Sequence, residues 1–234
     1  MQYSALVLAA GNGSRMKLGY NKIFYELSDG RTVLDHALEI FREDERCKQI
    51  VLVCNANDVV RISSQYVSGK VVVVLGGKTR QESVYNGLKA VHEDNVLIHD
   101  GARAFITPEL IAQCIRDVKR YDACVMAVPV KDTIKIVDEE QYAVSTPDRS
   151  VMWQMQTPQC FRLPEIREAY RKMLESGDKT MTDDAMVMEK YGNRRVKMSM
   201  GSYENIKLTT PGDFILGEAI LKNMGKTEKK KQER

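Results

Sequence analysis

Residues 4–16 read Ser-Ala-Leu-Val-Leu-Ala-Ala-Gly-Asn-Gly-Ser-Arg-Met, and no other stretch of the chain carries as much chemical information. The apolar run Ala5–Ala9 has the composition of a buried strand. It breaks at Gly11-Asn12-Gly13-Ser14, then delivers Arg15 and, seven residues on, Lys22. Glycines let successive backbone N–H groups turn toward one point, and such a concavity binds anions. A guanidinium and an ammonium beside it suit a polyphosphate. Two familiar phosphate loops are excluded. The P-loop pattern Gly-x-x-x-x-Gly-Lys-Ser/Thr does not occur, and the dinucleotide fingerprint needs a third glycine where Met16 stands. A tight turn closing a first strand is the plainer alternative.

In open α/β sheets, ligands gather beyond the carboxyl ends of the strands, and further candidates fall at such places. Gly76-Gly77-Lys78-Thr79-Arg80-Gln81-Glu82-Ser83 follows the apolar run Val71–Leu75. His99-Asp100-Gly101-Ala102-Arg103 closes the run from Val96, and Pro129-Val130-Lys131-Asp132-Thr133 follows Cys124–Val128. Thr157-Pro158-Gln159, Thr182-Asp183-Asp184 and Asn205-Ile206-Lys207 mark later changes from apolar to polar sequence. Several of these have purely structural readings. Thr182 suits the N-cap of a helix running through Met188, with Asp183 and Asp184 complementing its dipole. Thr157-Pro158 reads as a turn, and His99 as a hydrogen-bonded strand end. Asp100 is harder to dismiss, because a carboxylate straight after a buried strand needs a partner. That partner is Arg103, a bound Mg²⁺ or a substrate hydroxyl.

The elements that must position these groups are legible in the periodicity. Short apolar runs at Ala5–Ala9, Gln49–Cys54, Val71–Leu75, Val96–His99 and Cys124–Val128 alternate with segments of helical period. Val33, Leu34, Ala37, Leu38 and Phe41 form one such face; Val84, Leu88 and Val91 form another, and Leu110, Ile111, Cys114, Ile115 and Val118 a third. Thr107-Pro108 and Thr210-Pro211-Gly212-Asp213 are helix starts. The alternation predicts an α/β fold with a mostly parallel sheet. Lys131–Met155 behaves differently, with short alternating segments at Thr133–Val137, Ala143–Thr146 and Val151–Met155 and no helix between them. A ribbon of that kind is marginal alone. Packing against a second copy of the chain predicts a dimer, and a flap over the chain's own site is the competing reading.

Composition narrows the class. The chain has 234 residues, 43% hydrophobic and 29% charged, ordinary for a globular protein and suited to one sizeable domain. No apolar stretch is long enough to span a membrane and no signal pattern opens the chain, so the cytoplasm is expected. Five scattered cysteines without Cys-x-x-Cys spacing argue against a disulfide framework or a zinc site. The last ten residues carry five Lys/Arg and two Glu, which leaves residues 1–224 with 30 basic and 30 acidic groups. A nucleic-acid binder would show its basic face within the fold; residues 225–234 read instead as a disordered, solvated basic tail.

Taken in order, the blocks Ala9-Ala10-Gly11-x-Gly13-x-Arg15-Met16, Asn21-Lys22, Gly76-Gly77-x-x-Arg80-x-x-Ser83-Val84-x-Asn86-Gly87-Leu88, His99-Asp100-x-Ala102-Arg103, Pro129–Lys135, Thr157-Pro158-Gln159, Thr182–Ala185 and Asn205–Thr209 strongly resemble one family, the 2-C-methyl-D-erythritol 4-phosphate cytidylyltransferases. The resemblance covers about residues 3–222. It departs at Asn21 and Ala104, where the family often has proline, and at Ile23 and Gly101. Loss of two prolines predicts looser loops there.

The resemblance implies a Rossmann-like, GT-A-like nucleotidyltransferase fold. Its sheet is mostly parallel, with helices on both faces, in a single domain over 1–224 with a β-arm inserted at about 131–156. It implies transfer of a cytidylyl group from CTP to 2-C-methyl-D-erythritol 4-phosphate, with pyrophosphate leaving, in the presence of Mg²⁺ or Mn²⁺. Arg15, Lys22, Arg149 and Lys207 would be catalytic. Ala9, Ala10, Gly11, Gly13, Gly77, Arg80, Ser83, Asp100 and Ala102 would bind CTP. Asp100, Arg103, Thr133, Thr157 and Thr182 would bind the acceptor. Asp100 is the candidate metal ligand, and the metal would rest mostly on substrate phosphates. Thr133 and Arg149 lie on the arm, so in a homodimer they would serve the neighbouring site. Neither nucleic acid nor membrane is an expected partner. Ribitol 5-phosphate is the alternative acceptor, and a nucleotide-binding regulator without catalysis is the alternative of another class.

Overall fold

The computed structural model describes residues 1–11 and 19–232. Its centre is a seven-stranded sheet in the order β3-β2-β1-β4-β8-β5-β9. The strands are β1 (Tyr3–Ala9), β2 (Cys47–Cys54), β3 (Val71–Leu75), β4 (Asn95–Asp100), β5 (Ala123–Pro129), β8 (Trp153–Arg162) and β9 (Lys197–Met200). The five strands expected from apolar runs are present, and four of them form the parallel ladder β3-β2-β1-β4. β8 runs antiparallel between β4 and β5, and β9 is parallel to β5. The α/β, mostly parallel architecture is thus as expected.

Both faces of the sheet are covered, which is why its strands are nearly continuous apolar runs. Alternate residues of β1 and β2 serve opposite layers. Ala5, Val7, Ile50 and Leu52 pack with α1 (Val33–Glu43), α2 (Val59–Tyr66) and α4 (Pro108–Tyr121). Leu6, Val51 and Val53 pack with α3 (Arg80–Ala90), α5 (Leu163–Ser176) and α6 (Asp184–Tyr191). Three of the helices start at threonines, of which the sequence marks Thr107. Thr32 and Asp35 form a reciprocal capping box on α1, and the side chains of Thr79 and Thr107 cap α3 and α4.

Two details depart from expectation. Trp153, Gln154 and Met155 are not part of the arm: they pair with Pro129, Val128 and Ala127 in the central sheet. β5 would otherwise present an open edge toward them, and a ladder of backbone hydrogen bonds closes it. The free ribbon is therefore shorter, a pair formed by β6 (Ile136–Val137) and β7 (Ala143–Ser145). The second departure is the last helix, α7 (Pro211–Gln232), which continues into the segment expected as a disordered tail. Lys, Glu and Gln beyond Gly225 are all good helix formers. Among the described residues no helix is long and apolar enough to cross a membrane, and all five cysteines are free and buried.

Gly87 sets how closely α3 approaches the sheet. A Cβ at this position would lie 2.8 Å from Leu6 Cδ1 and 2.8 Å from Val53 Cγ2, both in the core. Over-packing of this kind costs about 1–3 kcal/mol, against a helix-propensity gain of roughly 1 kcal/mol for alanine over glycine. Gly87→Ala is therefore expected to lower the urea midpoint with an unchanged slope; a raised midpoint would show that the layer is looser than the contacts imply.

Candidate active site

The carboxyl ends of β1 and β4 open into a cavity of about 370 Å³. Ala9, Ala10 and Gly11 line it from the end of β1, followed by Asn21, Lys22 and Ile23. Lys22 opens a 3-10 turn, Lys22–Phe24, whose cap is Asn21. The Asn21 amide donates to the carbonyl of Ala9 at 3.1 Å and to Asp58 Oδ2 at 2.8 Å, and its Oδ1 accepts from Ile23 N–H at 3.4 Å. The loosening expected from the absent proline is therefore offset, because two side-chain hydrogen bonds tie the Lys22 turn to β1 and to the residue before α2, and a third closes the turn on itself. Ala104, at the other departure, is buried against Phe105, Leu208 and Phe214.

The opposite wall is built around Asp100, a buried residue at the end of β4. Lys207 Nζ lies 2.9 Å from Asp100 Oδ2, and Arg103 Nε lies 3.7 Å from the same oxygen. Burial alone would raise the Asp100 carboxyl. The charges of Lys207, Arg80 and Arg103 outweigh it and hold the group well below the usual carboxylate range. Beneath the carboxylate, Asp100 N–H donates to Thr157 Oγ1 at 3.0 Å. His99 Nε2 bonds the carbonyl of Arg103 at 3.1 Å, so it carries the proton, and Nδ1 accepts from the Thr157 hydroxyl at 3.0 Å. Burial pushes His99 down to about 4. At neutral pH it is a neutral prop, with both ring nitrogens engaged inside the protein.

Arg103 also sets the loop that carries Lys207. Its NH1 donates to the carbonyl of Asn205 at 2.7 Å, and the Asn205 amide donates to the carbonyl of Thr157 at 2.9 Å. Leu208 N–H closes the loop on Ala102 at 2.9 Å. The third wall is the turn after β3, where Gly77, Lys78, Thr79, Arg80 and Ser83 face the cavity and Gly77 N–H donates to Ser83 Oγ at 3.0 Å.

Of the residues singled out in the sequence, Ala9, Ala10, Gly11, Lys22, Gly77, Arg80, Ser83, Asp100, Ala102 and Lys207 line this one cavity. Gly13 and Arg15 lie outside the described residues. Arg103 and Thr157 are buried behind the wall and do not line it. Thr182 is exposed and does not line it; the cap of α6 is Asp183, whose Oδ1 accepts from Met186 N–H at 2.9 Å. Thr133 and Arg149 are exposed near the arm, with Arg149 NH1 donating to the carbonyl of Lys131 at 2.7 Å. Lys78, Thr79, Asn21 and Thr209 were missed as lining residues. The signal for Lys78 and Thr79 was their place inside the glycine turn. A larger hollow, about 760 Å³, lies between α1 and α7, but its Arg31 and His36 are bonded to neighbouring acids rather than converging on it.

A family model described as IspD, 2-C-methyl-D-erythritol 4-phosphate cytidylyltransferase, matches residues 3–223. A protein of that name from Alkaliphilus oremlandii is 44% identical over 226 residues, covering 94% of this chain and 94% of its own. Another, from Geobacillus thermodenitrificans, is 46% identical over 226 residues and covers 94% of this chain and 97% of its own. The crystal structure of 4-diphosphocytidyl-2C-methyl-D-erythritol synthase from Anaerococcus prevotii superposes with a TM-score of 0.82 at 36% identity, covering 94% of this chain and 96% of that one.

The state of His99 has a measurable consequence. Its unfolded value is near 6.5, and in the fold it stays neutral down to about 4. Between these values the unfolded chain binds more protons, so stability falls as pH is lowered through that window, by about 3 kcal/mol when the whole gap is crossed. Urea melts of the wild type at pH 7 and pH 4.5 are expected to differ by more than those of His99→Gln. An equal pH dependence in the two proteins would rule out a buried neutral histidine as its source.

Proposed function

The chain belongs to the 2-C-methyl-D-erythritol 4-phosphate cytidylyltransferase family, so it is a nucleotidyltransferase that joins the cytidylyl group of CTP to that polyol phosphate, and we propose that its cavity brings the two reactants together by cancelling their charge. The observation that carries this reading is the convergence of Lys22 and Lys207, from two distant segments, around a glycine-lined hollow. Two anions must meet there with the acceptor oxygen in line with the departing pyrophosphate. The work is positioning and electrostatic stabilisation. The acceptor phosphate is already ionised at neutral pH, so no general base is required.

In this reading Lys22, with Arg15, grips the triphosphate and stabilises charge developing on the α-phosphate and the leaving group. The backbone at Ala10 and Gly11, with Gly77 and Ser83, receives the cytidine. Lys207 takes the acceptor phosphate and Asp100 an acceptor hydroxyl. Arg103 and Thr157 act from behind, one through the Asn205–Lys207 loop and the other through Asp100. Among the described residues lining the cavity Asp100 is the one carboxylate, and no group of three or more potential ligands could hold a metal ion. That donor set fits a Mg²⁺ or Mn²⁺ carried mainly by phosphate oxygens and water, with Asp100 the protein group beside it. Such an ion supplies charge neutralisation to the phosphates.

Thr133 and Arg149 complete the site from the arm of a second copy. The arm exposes Ile136, Val137, Tyr142, Val144 and Val151, an apolar set that a two-stranded ribbon cannot cover alone. A homodimer covers it. The cytoplasm is the compartment that fits five free cysteines.

A coupled pyrophosphate assay tests the reaction. Pyrophosphate is expected from 2-C-methyl-D-erythritol 4-phosphate with CTP and not with ATP, GTP or UTP. Release with ribitol 5-phosphate instead would change the acceptor, and CTP binding with no release from either would make the chain a regulator. Lys22→Ala or Arg15→Ala is expected to lower kcat by on the order of 10²–10³; turnover near the wild type would remove that residue from the chemistry. Mixing inactive Lys22→Ala with inactive Arg149→Ala subunits should restore activity, because one site of the mixed dimer is then intact. Failure to restore it would mean that Arg149 serves its own subunit.

A further inference from the structure

The roles above leave one buried carboxylate unused. Asp184 is the first residue of α6 and is fully buried. It is not needed to cap its helix, because the neighbouring Asp183 does that and Gln159 Oε1 accepts from Ala185 N–H at 2.8 Å. Asp184 is turned instead toward a residue 104 positions away. Arg80 NH1 donates to its Oδ1 at 2.8 Å and NH2 to its Oδ2 at 2.7 Å. The hydroxyl of Tyr170, itself fully buried on α5, donates to the same Oδ1.

Arg80 lines the cavity, and its side chain is 28% exposed while that of Asp184 is 0% exposed. The two-point grip fixes the plane of the guanidinium and cancels its charge, yet leaves three of its five N–H groups for other partners. Lys207 differs in kind. Its partner, Asp100, borders the cavity, so a bound phosphate can compete for the ammonium. Asp184 does not line the cavity, and its side chain has no exposed surface. Arg80 therefore keeps its counter-charge when the cavity fills.

Resting on the reading of this cavity as the CTP site, we propose that Asp184 and Tyr170 are positioning residues that hold Arg80 as a charge-neutralised donor to an uncharged oxygen or ring nitrogen of the nucleoside, leaving the phosphates to the lysines. A buried ion pair is weak evidence of stabilisation, since desolvation offsets much of the attraction. Orientation of a donor at a binding wall is the use that this geometry favours.

The test is calorimetric titration of the full-length protein with CMP and, separately, with inorganic tripolyphosphate. Asp184→Asn keeps the shape and removes the charge; Tyr170→Phe removes one hydroxyl and keeps the packing. Asp184→Asn is expected to weaken CMP by about tenfold while tripolyphosphate binds as tightly as before or more tightly, because an uncompensated cation now faces the cavity. Tyr170→Phe should move CMP in the same direction by about threefold. Equal losses for both ligands would reduce the cluster to a staple between helices, and unchanged CMP binding in both variants would overturn the proposal outright. If the wild type binds tripolyphosphate but not CMP, the CTP reading of the cavity fails first, and that result is visible without any variant.

Discussion

A single negative charge at the end of a buried strand organises much of this molecule. Asp100 cannot be left alone where β4 ends, because an isolated carboxylate out of water is far too costly. Arg103 and Lys207 answer it directly. Arg103 in turn holds the carbonyl of Asn205, which fixes the loop from which Lys207 returns to Asp100. The closed circuit draws a segment more than a hundred residues away onto the end of β4. The same attraction that settles the fold at this point assembles half of the cavity, so the charges are in place before any ligand arrives.

Behind that wall lies a buried layer that does not line the cavity and fixes where the wall stands. His99 and Thr157 prop the backbone of Asp100, and Asn205 ties the loop to the strand carrying Thr157. On the other wall Asn21 does comparable work for Lys22. These are polar groups in dry surroundings, each satisfied by a neighbour from a different element. Such networks are rigid when complete and are the first thing to fail when one member is lost.

The residues that carry periodicity or capping chemistry were readable from the chain: five strands, the apolar faces of α1, α3 and α4, and the starts at Thr107 and Thr210. The glycine turns and the charged strand ends pointed to the cavity wall. What escaped was information that only the third dimension holds. β8 joins the central ladder although Trp153–Met155 alternates like an exposed ribbon, because its pairing with β5 is set by a partner distant in sequence. α2 and α5 lack the strongly marked starts of the other helices; neither has a side-chain cap. Arg103 and Thr157 match a binding motif by type and place, yet both are buried and neither lines the cavity. Thr182 had the composition of a cap, and Asp183 took that position because its carboxylate reaches Met186 N–H.

The route by which the chain leaves and re-enters the sheet has a consequence of its own. It departs at Pro129 and returns at Trp153, and those two residues are paired partners in the ladder. Everything between them hangs from a closed rung. Residues can be added to or taken from that excursion without shifting the register of any central strand, and it emerges at the same end of the sheet as the cavity. The scaffold thus separates two kinds of change: rewriting the ribbon alters an exposed surface at that end of the sheet, while the walls of the cavity keep their geometry.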